Sequence, residues 1–349
     1  MTSFLNKIFN RKNKMPTYFI AEIGVNHNGN LSLAKRMIDS AKKSGADAVK
    51  FQTFKAERLA TSSTPKVQYQ KKFSSSKQSH FEMLKSLELS DFDHRVLKKH
   101  CKIKKIDFIS TPYDLASAKF LSKIGCKYFK TSSADIVDLE LHNYIAKNKK
   151  SVIISTGMST EKEIEECLKI YKKYSNNKVI LLHCVSNYPC SLKSLNMNVL
   201  PKMKKKFGFT VGYSDHAKGH EASVVSVALG AKVIEKHFTI NKKLAGPDQN
   251  ASSLPNEFKK VVNEVKKIEI IIGNDIKKCQ KEEVQMCRVS RKSLTLNNSL
   301  KKGEAIKLKH LCLKRPGTGI FYSQINKIIG KKAKKNLKKN YQIKFRDVN

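Results

Sequence analysis

The sequence predicts an α/β fold, a closed (β/α)8 barrel, followed by a second, small domain built of short strands. Short apolar runs alternate with helical patterns eight times within roughly 260 residues, which argues for a parallel sheet and fits a barrel. Polar residues gather just past the end of each apolar run and not at its start. Beyond residue 273 the helical rhythm gives way to a charged linker and then to Gly-turned β segments. A doubly wound open sheet is the alternative for the first part.

In order, the pattern gives a strand over 18–25 and a helix over 31–43 that ends before Gly45. A strand follows over 47–53, then a polar excursion to about residue 77 and helical patterns over 81–87 and 92–102. The next pairs are a strand at 107–110 with a helix at 115–124 stopped by Gly125, and a strand at 127–130 with a helix at 139–147. Then come 151–155 with 161–174, and 178–183 with 197–207. The last units are a strand at 209–213 with a helix at 222–231 closed by Gly230, then a strand at 232–235 with a helix at 255–272. The domain expectation is a basic extension over 1–16, a barrel over 17–273, a linker over 274–289 and a small domain over 290–349.

Composition narrows the function. The 349 residues carry a net charge of +40, but 61 of the 69 basic residues are Lys and they are spread along the chain. We read them as solvated faces rather than a nucleic-acid footprint, although the field would draw anions. No apolar run approaches the ~18 residues of a membrane helix, and the first fifteen residues lack the apolar core of a signal peptide. Eight cysteines without a C-x-x-C pair suggest free thiols in a reducing, cytoplasmic setting.

In a barrel of this kind, the site lies at the C-terminal ends of the strands. Lys50 and Lys130 are point charges there, and Thr111, Ser133, Ser155 and Ser214 are hydroxyl donors, a set suited to a phosphate and a carboxylate. Glu22, Gln52, Tyr188 and Asp248 are of types that bind sugar hydroxyls. His216 and His237 are 21 residues apart, each just after an apolar run, with one helix between them. Consecutive strands of a parallel sheet are usually neighbours, so the two imidazoles converge and suit a divalent metal.

The last sixty residues contain an internal echo: 299–311 recurs as 336–348 at an offset of 37, with five of thirteen positions identical. Two similar β units suggest a pseudo-symmetric domain. Between them Leu-Lys-Arg-Pro-Gly-Thr-Gly-Ile at 313–320 reads as a loop that reaches a ligand, carrying Arg315.

The motifs in order resemble those of the sialic acid synthases, a family that includes the legionaminic and pseudaminic acid synthases. The matching stretches are Ala-Glu-Ile-Gly-Val-Asn-His-Asn-Gly at 21–29 and Gly-Ala-Asp-Ala-Val-Lys-Phe-Gln-Thr at 45–53. They continue with Ser-Thr-Gly-Met at 155–158, Tyr-Ser-Asp-His at 213–216, Glu-Lys-His-Phe-Thr at 235–239, Gly-Pro-Asp at 246–248 and Lys-Arg-Pro-Gly at 314–317. The resemblance implies a TIM barrel followed by an antifreeze-like SAF domain, and a homodimer in which that domain covers the partner's active site. It implies condensation of phosphoenolpyruvate with an N-acetylmannosamine-type sugar, releasing phosphate and forming a nine-carbon keto acid. N-acetylneuraminate comes first as product, with N,N'-diacetyllegionaminate and then pseudaminate as alternatives. By resemblance His216 and His237 hold manganese or magnesium, and Lys50, Thr111, Lys130, Ser133, Ser155 and Ser214 hold phosphoenolpyruvate. Glu22, Gln52, Tyr188 and Asp248 meet the sugar, with Arg315 supplied by the partner, and Glu22 or the phosphate manages protons. Ser186, Ser132 to Asp135 and Ala217 depart from the family's usual residues and bear on the sugar and on phosphate contacts. Two other classes stay in view: a phosphoenolpyruvate aldolase or hydrolase with a Schiff-base lysine, and a non-catalytic polyanion-binding protein.

Overall fold

The computed structural model describes residues 8, 16–66 and 78–349. Apart from Ile8 and Pro16, the expected basic extension lies outside the described residues, as does the part of the polar excursion over 67–77. The chain divides into two compact units, Met1–Gly273 and Asn274–Asn349. Among the described residues no helix is long and apolar enough to cross a membrane.

In the first unit eight parallel strands close in sequence order, which rules out the doubly wound alternative. They are β1 (Tyr18–Gly24), β2 (Ala48–Thr53), β3 (Asp107–Pro112), β4 (Tyr128–Thr131), β5 (Ser151–Ser155), β6 (Val179–His183), β7 (Thr210–Asp215) and β8 (Val233–His237). Side chains alternate across each strand, so every second residue faces the barrel axis. Tyr18, Ile20, Ala48, Ile109, Tyr128, Ile153, Ile180, Leu182 and Val233 fill the interior, joined by Ile8. The outward set, including Phe19, Ala21, Val49, Phe51, Phe129, Val152, Leu181, Val211 and Ile234, packs under the helices. Both faces are buried, which explains why the strands read as nearly continuous apolar runs.

The helices are α1 (Leu31–Lys43), α2 (Ala56–Leu59), α3 (His80–Leu87), α4 (Asp91–Ile103), α5 (Leu115–Lys123), α6 (Leu139–Lys147), α7 (Glu161–Lys173), α8 (Val199–Phe207), α9 (Glu221–Ala228) and α10 (Pro255–Ile272). Their starts follow local chemistry. Asn30 caps α1, and Ser90 with Asp93 and Thr160 with Glu163 form capping boxes on α4 and α7. Strands β3, β7 and β8 each run two residues beyond their expected ends, because inward polar residues continue the period of two past the apolar run.

The second unit opens with a helix, α11 (Val284–Ser290), inside the segment expected to be a linker. None of its residues is buried, so it carries no core-facing stripe that the sequence could have signalled. Strands β9 (Ser293–Leu296) and β10 (Leu311–Lys314) pair antiparallel, and isolated bridges join the rest. The sequence echo is a local two-fold: Leu300 and Leu337, offset mates, exchange both backbone hydrogen bonds at 2.8 Å. Ile306 and Ile343, another such pair, are fully buried in the same core.

Candidate active site

At the C-terminal mouth of the barrel, the inward positions turn from apolar to polar. Above Ile20 comes Glu22, above Ala48 come Lys50 and Gln52, and above Tyr128 comes Lys130. Ser155, Ser214, Glu235 and His237 complete the ring on β5, β7 and β8, with His216 one residue past β7. These residues, with Ser133, Tyr188 and Asp248 from the loops, line a cavity of about 400 Å³. Thr111 stands one step behind it, its Oγ1 3.3 Å from Lys50 Nζ. Leu59, Met83, Leu84, Leu87 and Tyr113 form an apolar wall. Arg315 belongs to the second unit, exposed on the loop after β10.

One side of the cavity is cationic. Lys50 Nζ lies 3.0 Å from Glu22 Oε2 and 3.7 Å from Glu235 Oε1. Lys130 Nζ donates to Ser155 Oγ at 2.6 Å and to the Thr131 carbonyl at 2.9 Å, and is also 3.7 Å from Glu235 Oε1. Burial pulls the Lys50 ammonium down, but Glu22 and Glu235 outweigh it and its pKa is raised. Burial lowers that of Lys130 despite Glu235. Burial also works against the Glu235 carboxylate, yet Lys130 and Lys50 hold it at about 2. Glu22 goes the other way: burial, reinforced by Glu235, lifts it to about 7 against the pull of Lys50. Lys50 and Lys130 thus set two buried ammonium groups side by side on this part of the cavity, which suits it to an anion.

Beside Lys130 the loops after β4, β5 and β6 meet closely. The Gly157 amide donates to Ser133 Oγ at 3.0 Å, and Ser133 Oγ is 3.2 Å from Cys184 Sγ. A Cβ on Gly157 would fall 2.4 Å from Ser186 Oγ and 2.8 Å from Ser133 Oγ, so only glycine leaves this cradle open. On β1 the register slips between Glu22 and Gly24, and Gly24 adopts φ +54°. A Cβ there would stand 3.1 Å from Glu22 Oε1, and its absence lets Gln52 Nε2 donate to that oxygen at 3.2 Å. Asp248 is buried, and burial raises its carboxyl to about 6 against the effect of Lys50.

The two histidines come together as the strand order requires, with ring centroids 5.7 Å apart. His216 Nδ1 is 2.7 Å from the Val185 carbonyl, which only accepts, so the proton sits on Nδ1 and Nε2 keeps its lone pair. Nδ1 of His237 is buried without a hydrogen-bond partner in the protein. Burial holds the His216 pKa at about 4 and the His237 pKa well below its usual value, so both rings are neutral at ordinary pH. Two neutral imidazoles with an available lone pair beside a carboxylate-lined cavity fit a divalent cation. Among the described residues no group of three or more His, Cys, Asp or Glu converges on one point, so the remaining ligand positions would fall to substrate or solvent.

Glu235 is not among the residues to which the sequence points, yet it lies between both lysines and accepts from Ser214 Oγ at 2.9 Å. Its signal was the period of two, since it lies two residues before His237 and two after Val233.

The chain is similar to known proteins over most of its length. The model of the NeuB family matches residues 37–277, and that of the SAF domain matches residues 291–349. The N,N'-diacetyllegionaminic acid synthase of Legionella pneumophila is 41% identical over 337 residues, covering 95% of both chains. That of Campylobacter jejuni is 42% identical over 330 residues, covering 94% of this chain and 99% of the relative. Among solved structures, the N-acetylneuraminic acid (sialic acid) synthetase of Leptospira borgpetersenii, in complex with citrate, aligns with a TM-score of 0.69 at 36% identity, covering 78% of this chain and 90% of the other.

Proposed function

The chain belongs to the NeuB family of phosphoenolpyruvate-dependent nonulosonic acid synthases, and from that premise we propose that it condenses phosphoenolpyruvate with a diacetamido sugar and water, giving N,N'-diacetyllegionaminate and phosphate. The observation that carries this reading is the near full-length identity of 41% and 42% to two synthases of that name. The motifs alone put N-acetylneuraminate first; the relatives move the diacetamido sugar ahead of it. N-acetylneuraminate stays as the second reading, favoured by the 36% identity to the Leptospira synthetase.

In the proposed reaction the methylene carbon of phosphoenolpyruvate bonds to the aldehyde carbon of the open-chain sugar. Water adds at the adjacent enol carbon, the C–O bond to the phosphate oxygen breaks, and phosphate leaves. Lys50 and Lys130 stay opposite the anionic charge throughout, with Thr111, Ser133, Ser155 and Ser214 as hydroxyl donors. Gln52, Tyr188 and Asp248 orient the sugar. Glu22, with its carboxyl near 7, holds or releases a proton at the sugar oxygens. A divalent cation, manganese or magnesium, held by His216 and His237 would supply Lewis acidity at the aldehyde oxygen.

We extend the proposal to a cytoplasmic homodimer in which the small domain of one copy closes over the barrel mouth of the other and delivers Arg315. Its loop is suited to presentation: Pro316 O accepts from Ser293 Oγ at 2.9 Å and Gln342 Nε2 at 2.6 Å, and Gly317 N donates to Arg288 O at 2.7 Å.

The test is a substrate panel scored by phosphate release: N-acetylmannosamine, its 6-phosphate, and the diacetamido sugars of the legionaminic and pseudaminic routes. Turnover fastest with the legionaminic-type sugar supports the reading. Turnover fastest with N-acetylmannosamine or its phosphate overturns it in favour of the second.

A further inference from the structure

The residues immediately before the two histidines form a buried ion pair of their own. Asp215 Oδ2 accepts from Lys236 Nζ at 2.8 Å, and the side chains are 0% and 5% exposed. Both point to the outer face of the barrel wall, opposite to Ser214, His216, Glu235 and His237, so neither reaches the cavity. Asp215 and Lys236 are also the last residues in register between β7 and β8. His237 is still paired with Glu22 of β1, but His216 lies one residue past the end of β7, beyond the β7–β8 ladder, so that ladder does not itself set its height against His237.

Two further bonds of the pair reach the residue just after His216. Asp215 Oδ1 accepts from the Ala217 amide at 2.9 Å, and Lys236 Nζ donates to the Ala217 carbonyl at 2.7 Å. The Ala217 backbone, directly after His216, is thus held at both its amide and its carbonyl. Ser223 on α9 donates to Asp215 Oδ2 at 2.6 Å, which ties the grip to the helix layer. A buried ion pair offers little net stability against apolar residues of equal volume, because both charges lose their hydration. Its value is geometric, since each group demands its partners at fixed distances.

We propose that Asp215 and Lys236 are positioning residues: they act as a clasp that sets the spacing of His216 and His237 and so the affinity for the divalent cation. The inference rests on the metal role assigned to those histidines, and outer partners of metal ligands commonly change affinity by about 10–100-fold when lost.

The experiment is calorimetric titration of the metal-free full-length protein with Mn2+, without substrates. The double variant D215N/K236M removes both charges together, so no unpaired charge is left to unfold the chain. It is expected to stay folded and to bind Mn2+ at least tenfold more weakly than the parent. A folded double variant that binds within threefold of the parent overturns the clasp. If the double variant does not fold, S223A is titrated instead: two- to fivefold weakening supports the proposal, and unchanged affinity overturns it. H216A separates the two claims. If it binds Mn2+ as the parent does, the metal assignment itself fails; if it loses binding while the clasp variants do not, only the clasp fails. Y171F, which deletes the buried 2.8 Å bond to His142 in the helix layer, controls for stability alone and is expected to leave Mn2+ affinity unchanged.

Discussion

The Tyr188 ring lies against the His216 imidazole, with centroids 4.2 Å apart and planes inclined by 38°. The same ring meets His237 at 86° and 5.3 Å, so one aromatic side chain packs both histidines. Aromatic pairs of this kind contribute about 0.5–1.5 kcal/mol beyond their buried area. Tyr188→Phe keeps the ring and removes the hydroxyl; it is expected to raise the KM for sugar while Mn2+ affinity stays at the parental value. Tyr188→Ala removes the ring as well and is expected to weaken both, the metal by roughly tenfold. Sugar kinetics and Mn2+ titration on the two variants check the division; equal metal loss in both would contradict it.

Glu235 Oε1 is 3.7 Å from each of Lys50 and Lys130. Removing one lysine therefore costs more than a substrate contact, because it weakens the neutralisation of a buried carboxylate. Lys130→Met is expected to lower kcat/KM for phosphoenolpyruvate by about 10²–10³-fold, the usual cost of truncating a buried charge pair. Glu235→Gln leaves two ammonium groups without their shared anion and is expected to lower kcat in addition. Steady-state kinetics with phosphoenolpyruvate as the varied substrate decide this, and a Lys130→Met enzyme within fivefold of the parent would refute it.

Acid stability follows from buried neutral histidines. Burial holds His142 at about 4 against a usual 6.5, while its Nδ1 pairs with the Tyr171 hydroxyl. Because the folded value is the lower one, the unfolded chain binds the extra proton between those values. Stability is therefore full above about 6.5 and lost as pH falls towards 4. His142 alone accounts for about 2 kcal/mol between pH 7 and pH 5. Urea denaturation of the parent and of His142→Gln at both pH values reads the difference. The variant is expected to lose about 2 kcal/mol less than the parent on that step, and equal losses would remove His142 from the account.

The strand ends carried most of the site because they obey one rule. An inward residue at the C-terminal end of a barrel strand needs no apolar partner, so Glu22, Lys50, Lys130 and Ser214 stood out as polar tips on apolar runs. The histidines could be paired from 21 residues of separation because neighbouring strands bring their ends together. The roles of Asp215 and Lys236 were hidden, since register and facing, not composition, decide that they meet. Ser133, Gly157, Cys184 and Ser186 were equally hidden as a group: three loops make that cradle, and loop geometry has no period. The helix α11 is not legible in the sequence because none of its residues is buried, so no core-facing stripe marks it.

The local two-fold of the small unit gives a prediction with an internal control. Leu300 and Leu337 are both 2% exposed and hold each other through paired backbone bonds. The symmetry continues into the short turns that follow: the Lys307 amide donates to His310 Nδ1 at 3.3 Å, as the Lys344 amide does to Asp347 Oδ2 at 3.0 Å. Equivalent burial on equivalent scaffolds means equivalent cost. Leu300→Ala and Leu337→Ala are each expected to destabilise the unit by about 2–4 kcal/mol. Because the two share one core, the double variant is expected to cost less than the sum by 0.5 kcal/mol or more, roughly the coupling of packed neighbours. Hydrogen exchange measured by mass spectrometry on peptides from residues 291–349 of the full chain reads this unit without the barrel. A large effect at one leucine with almost none at the other would mean that the repeat survives in the backbone but not in the packing.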